Sequence, residues 1–210
     1  QYFIAFSLLS PIFSVILPIS PQNFQTALGV LGMKAYPELK SASCIKKHSS
    51  PILTSADMPF DSSLVFNAGV TKIDGKYVMF FRNDYGAKEE DYKDPNGKRI
   101  SGLSVGVAVS DNGIDGWRVH DKLLIDNKDM KGQEITSIYD PRVTVIDGKI
   151  YLCLAVHTRH GILGGIAEVN DTLDGFKLLS TTVPDNRNMV LFPEKINGKF
   201  MRLERPFPVY

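Results

Sequence analysis

The sequence is short of cysteine: Cys44 and Cys153 are the only two in 210 residues. Two thiols cannot supply the several bridges of a disulfide scaffold, and their spacing matches no zinc motif. Cys153 lies inside an apolar run and reads as a small core residue. Histidine is also sparse. His48, His120, His157 and His160 include no pair at the helical spacing of a metal site, so no metal is expected. His157 and His160, just past a strand, fit a substrate contact better than a metal. An excess of one charge is missing too. Lys and Arg number 24 against 23 Asp and Glu, a net charge of +1, so no broad field attracts nucleic acid or acidic membranes. No basic run is interleaved with aromatics, which further excludes nucleic acid as a partner.

The one long apolar run, Gln1–Ser20, is uncharged but carries Pro11 and Pro18, with Pro21 just after. It could be a signal-peptide core, a weak membrane span or sequence not native to the fold. There is no initiating Met and no basic stretch before it, which suggests that the chain is a fragment. The expected location is cytoplasmic, with a signal peptide or membrane anchor as the alternative that this run leaves open.

What is present is a globular composition, 43% hydrophobic, 22% charged and 10% aromatic, enough for a sizeable core. Two regions are expected. Residues 1–50 are low in signal, with a short helix around Gln25–Tyr36. Residues 51–210 are strands punctuated by Gly, Asn and Asp turns, with no helical periodicity. An internal repeat organises the second region. Val70–Phe81 matches Val143–Leu154, their Asp-Gly pairs lying 73 residues apart. A third copy, Pro193–Leu203, centres on Asn197-Gly198, 50 residues beyond the second. Asp-Gly and Asn-Gly tolerate the positive φ of a type I′ turn, so each copy reads as a tight β-hairpin. A second unit, Ala108–Trp117, resembles Ala167–Phe176 at an offset of 59. Four strands recurring every fifty to seventy residues is the pattern of propeller blades, favoured over a β-sandwich because a sandwich does not predict one hairpin three times. About two and a half blades are visible where a closed ring needs at least four. The closing blades are therefore expected outside these residues or from another copy.

Polar clusters sit beside the hairpins: Phe66-Asn67-Ala68-Gly69, Phe81-Arg82-Asn83-Asp84-Tyr85-Gly86, Tyr139-Asp140-Pro141-Arg142, Asn186-Arg187-Asn188 and Glu204-Arg205-Pro206. An isolated Asp-Pro-Arg is more often a turn with a surface ion pair than a site. Here Pro141 fixes its own φ, pushes Asp140 toward an extended conformation, and stands at the mouth of a hairpin like the others. The chemical content is one prominent carboxylate with several arginines, whose planar forks suit phosphate oxygens. That combination points to transfer of a group to or from phosphate.

These motifs, with Asn188–Lys195 and Arg205-Pro206, together resemble glycoside hydrolase family 130, the β-mannoside phosphorylases, over residues 51–210. The Tyr139-Asp140-Pro141-Arg142 form is closer to the mannosylglucose branch than to the mannooligosaccharide branch. The resemblance implies an all-β, five-bladed β-propeller, of which this chain covers part of the ring. It implies that Asp140 is the catalytic acid, that Arg187, Arg205 and Asn67 bind phosphate, and that Arg82, Asn83 and Tyr139 surround the mannosyl subsite. Asp84, Arg142 and Glu194 lie within the same motifs and join the substrate-binding set. The implied reaction is inverting phosphorolysis of β-1,4-mannosides to α-mannose 1-phosphate, with inorganic phosphate as co-substrate, no cofactor and no metal. Ordinary inverting glycosidases need a second carboxylate to activate water, whereas phosphate is already an anionic nucleophile. A hydrolase of the same type, with Asp84, Asp185 or Glu204 as base, and a non-catalytic carbohydrate-binding propeller are the alternatives. The expected partners are a small carbohydrate, phosphate and a second copy of the chain in a homo-oligomer.

Overall fold

The structure is a computed structural model that describes Cys44 and residues 50–92, 96–97, 100–130 and 134–207. The chain divides into two units, Gln1–Lys47 and His48–Tyr210. Of the first only Cys44 is described, so the apolar start and the helix expected at Gln25–Tyr36 lie outside the described residues.

The second unit is all-β and antiparallel. Its helical content among the described residues is three 3-10 turns, Ser55–Asp57, Glu89–Tyr92 and Asn127–Met130. One sheet runs in chain order through β1 (Leu64–Ile73), β2 (Lys76–Tyr85), β3 (Gly102–Ser110) and β4 (Arg118–Val119), with β5 (Ile125–Asp126) also paired to β3. β4 and β5 are two ends of one edge strand. The His120 and Leu124 amides still bond the Val107 and Val105 carbonyls, while the residues between them loop away. The second sheet is β6 (Ile135–Ile146), β7 (Lys149–Thr158), β8 (Gly161–Val169) and β9 (Phe176–Thr181), again in chain order. Each is the four-stranded meander of a blade.

Local chemistry explains both meanders. The β1–β2 turn holds Asp74 and Gly75 at φ 49° and 80°, and the β6–β7 turn holds Asp147 and Gly148 at 51° and 75°. Two positive φ values in succession are the type I′ geometry that matches strand twist. Asn197 and Gly198 repeat it at 52° and 72°. The third hairpin is less regular than expected: β10 (Val190–Leu191) and β11 (Arg202–Leu203) are short, with a separate bridge at Ile196–Lys199. Pro193, which has no N–H to donate, lies in the interruption.

Period-two alternation decides which faces are buried. Val78 and Phe80 of β2 and Val105 and Val107 of β3 meet Leu152, Leu154 and Val156 of β7 in one core between the two sheets. The opposite face of β7, Tyr151 and Cys153, packs on Met189 and Leu191 at the third hairpin. The opposite face of β2, Met79 and Phe81, is covered by Leu53, Met58, Phe60 and Trp117. The first strands of the two sheets approach closely. A methyl group on Gly69 of β1 would sit 3.0 Å from the Val143 nitrogen and 3.1 Å from the Pro141 carbonyl oxygen of β6.

Candidate active site

The repeat extends beyond the hairpins into a pair of matching bulges. In β1 the register breaks between Phe66 and Gly69, and in β6 between Tyr139 and Arg142. Each bulge starts with a residue in the left-handed region, Asn67 at φ 49° and Asp140 at φ 55°, so Asp140 does not take the extended conformation expected before Pro141. Asn and Asp tolerate this conformation best among residues with a Cβ. Bulges re-aim side chains, and these two aim theirs at each other. The Asn67 amide nitrogen donates to Asp140 Oδ1 at 2.9 Å.

Arg82 of β2 completes the group. Its Nη1 donates to the same Asp140 oxygen at 3.2 Å, while Nε and Nη2 fork onto the Asp84 carboxylate at 2.7 and 2.9 Å. Phe66 and Tyr139, at equivalent positions of the two bulges, lie on its guanidinium with ring centroids 4.8 Å away in both cases. Such contacts favour a cation, and most strongly where water is excluded. The Arg82, Asp84 and Asp140 side chains are 19%, 5% and 12% exposed. Burial works against the charge on Arg82, but its bonds to Asp84 and Asp140 outweigh this, so its pKa is raised. Both bonds to Asp140 fall on Oδ1, and among the described residues none reaches Oδ2. The arrangement can hold one carboxyl in place with one oxygen engaged and the other free to face a substrate.

Of the expected site residues, Asn67, Arg82, Asp84, Tyr139 and Asp140 therefore converge. Asn67 touches the acid itself rather than an isolated anion site. Asn83 is not brought to the group. Alternation along β2 turns it to the other face, where it is fully buried and donates to the Asp61 carbonyl and to Ser104 Oγ. A side chain enclosed in that way cannot contact a sugar, so its placement in the substrate-binding set is corrected. Glu194 is exposed near the tip of the third hairpin. Its neighbour Lys195 pairs with Asp147 at 2.6 Å across the two hairpin tips. Arg142 is half-buried opposite Cys153 on β6, outside the Asp140 group.

Arg187 and Arg205 come together elsewhere, on the ring of Phe207 at 5.2 and 5.8 Å. Asn186 brings them together. Buried at 2% exposure, it bridges to Pro206, donates to Glu204 at 2.9 Å and accepts from the Arg205 amide at 3.3 Å. Arg187 Nε and Asn188 Oδ1 are buried with no hydrogen-bond partner. A buried guanidinium nitrogen without a protein acceptor can take a water or an anion. Among the described residues no hydrogen bond or ion pair joins this cluster to Asp140. Phe66 opens the polar cluster before the first hairpin but was given no role, although the offset of 73 that relates the hairpins also places it on Tyr139.

Two four-stranded antiparallel meanders that share one core, with Asp140 held between them, have the architecture of neighbouring propeller blades. Comparison with known proteins narrows this. No family model matches the chain. A 1,2-β-oligomannan phosphorylase of Thermoanaerobacter sp. is 30% identical over 164 residues, 75% of this chain and 51% of that protein. A 4-O-β-D-mannosyl-D-glucose phosphorylase of Bacteroides fragilis is 29% identical over 198 residues, 85% of this chain and 46% of that protein. Among solved structures, the β-1,2-mannobiose phosphorylase of Listeria innocua superposes with a TM-score of 0.54 at 20% identity, over 71% of this chain and 52% of that one. The chain is similar in sequence to proteins named as mannoside phosphorylases. It spans about half the length of the curated relatives it matches.

Proposed function

We propose that this chain forms part of an inverting β-mannoside phosphorylase built as a five-bladed propeller. Asp140 is the proton donor, and Arg187 and Arg205 cradle inorganic phosphate. The observation that carries the reading is the Asp140 carboxyl, held through Oδ1 by Asn67 and Arg82 with Oδ2 unpartnered among the described residues. Of the carboxylates that could serve a hydrolase as base, Asp84 and Glu204 have both oxygens engaged, by Arg82 and by Arg202 with Asn186, while exposed Asp185 accepts the Ile162 amide on one oxygen and lies on the segment that carries Arg187, away from the Asp140 group. Water as nucleophile needs a free base, whereas phosphate needs only a cationic cradle and an acid for the leaving oxygen. The partnerless Arg187 nitrogen supports that cradle.

In this mechanism the arginine pair offsets repulsion between phosphate and substrate and fixes its approach to the anomeric carbon. Phosphate oxygen forms a bond to that carbon as the glycosidic C–O bond breaks, and the proton held by Asp140 passes to the departing sugar oxygen. The product is α-mannose 1-phosphate. For the linkage we infer β-1,4 to glucose, on the form of the Tyr139–Arg142 motif and the extent of the match to the mannosylglucose enzyme. The 1,2-linked relative makes β-1,2 the competing choice.

The test incubates the full-length gene product with mannosylglucose and with β-1,4- and β-1,2-mannobiose, with and without phosphate. Release of mannose 1-phosphate only with phosphate is expected, lost in Asp140→Asn while its circular dichroism is unchanged. Free mannose at equal rates without phosphate, or an active Asp140→Asn protein, refutes the assignment.

A further inference from the structure

Asn127 is buried at 6% exposure, and all of its amide bonding is directed at backbone. Its Oδ1 accepts from the Ile138 amide at 2.8 Å, and its Nδ2 donates to the Ile138 carbonyl at 2.9 Å. Ile138 faces Val156 across the β6–β7 ladder, yet both of its polar groups are taken by Asn127. They therefore point to the edge of β6 away from β7, and Asn127 stands in for a single residue of a neighbouring strand. A third bond, from Nδ2 to the Leu103 carbonyl at 2.6 Å, ties this edge to β3 of the other sheet.

The placement of these bonds matters for the site. Ile138 is two residues before Asp140, and Leu103 is the ladder partner of Asp84. A closed circuit results: Asp84 holds Arg82, Arg82 reaches Asp140, the strand leads back to Ile138, and Asn127 returns to Leu103 beside Asp84. The Arg82–Asp140 contact at 3.2 Å crosses between the sheets. It stands at the long limit for N–H···O bonds, so an opening of about half an ångström would break it.

We propose that Asn127 is a positioning residue for Asp140. It sets the separation of the two sheets at which Arg82 and Asn67 hold the carboxyl, and so the angle at which the acid meets the leaving oxygen. This rests on the phosphorylase reading for its catalytic consequence, but its geometric content stands apart from it.

The experiment is Asn127→Ala in the full-length gene product, read by crystallography and by steady-state kinetics. The Arg82 Nη1 to Asp140 Oδ1 distance should pass the hydrogen-bond limit of about 3.5 Å. The kcat for mannose 1-phosphate formation should fall about 100-fold, the scale of an ångström-sized misplacement. The KM for phosphate should hold steady, because the Phe207 arginines lie on other elements. Asn170→Ala is the control. Asn170 staples an outer turn through Asp174 and Gly175, and its loss should leave kcat unchanged. If Asn127→Ala does not fold, Asn127→Gln, which keeps the amide but lengthens its reach, is read in the same way. An unchanged Arg82–Asp140 contact, or a phosphate KM that rises with the loss of kcat, overturns the proposal. A parent protein inert with phosphate would instead refute the phosphorylase reading, and the contact distance would still decide the positioning role.

Discussion

Replacing Arg82 by Met removes the cation on which two carboxylates and two aromatic rings converge. Met keeps much of the side-chain volume, so little of the effect comes from a cavity. Three charge-assisted hydrogen bonds are lost, two to Asp84 and one to Asp140. With side chains only 5% and 12% exposed, those carboxylates would be left in a site with little water to solvate them. Breaking a buried pair by removing one partner costs about 3–5 kcal/mol, mostly from the uncompensated charge that remains. Arg82 is itself 19% exposed, which favours the lower end of that range. For a unit of this size each kcal/mol shifts the melting temperature by about 2–4 °C, so a fall of roughly 6–20 °C is expected. Thermal unfolding followed by circular dichroism measures it. Arg82→Met with Asp84→Leu should recover much of the loss, since one stranded charge goes with its partner. A fall below about 2 °C for Arg82→Met, or a double variant less stable than the sum of the singles, would refute the argument that the cluster is held by charge compensation.

Gly69→Ala should lower stability by about 1–3 kcal/mol, because its new methyl meets backbone of β6 that cannot move aside, and denaturant titration reads it. It should also reduce turnover, since the contact is made at the Asp140 bulge. Burial pushes the Cys153 thiol above its ordinary pKa, against weaker opposing pulls from the Leu191 backbone, Arg142 and Arg202. The unfolded chain thus loses this proton first, and stability present below the ordinary thiol range of about 8.5 should decline as pH rises through it. In Cys153→Val that decline should flatten, as measured by urea midpoints across the alkaline range.

Much of the fold was legible because its signals are local. Asp74-Gly75 and Asp147-Gly148 encode their turns in two adjacent residues, and the apolar alternation on either side sets the strands. The motif at Asp140 was legible as a polar break at the mouth of such a strand. Its bulge was not, because the residues around Pro141 allow a simple extended turn as readily. Asn83 shows the limit of motif reading: it sits between Arg82 and Asp84 in sequence, and strand alternation sends it to the opposite face.

By itself the sequence determined the hairpins, their repetition and the presence of one acid among several arginines, since backbone preference and period-two patterning act between near neighbours. Only the tertiary structure decided that Asn67 and Arg82 meet Asp140, that Phe66 and Tyr139 share one guanidinium, and that Asn127 closes the seam. Those contacts join residues 73, 58 and 11 or more positions apart. They depend on how one sheet registers against the next, a quantity that no local run of residues encodes.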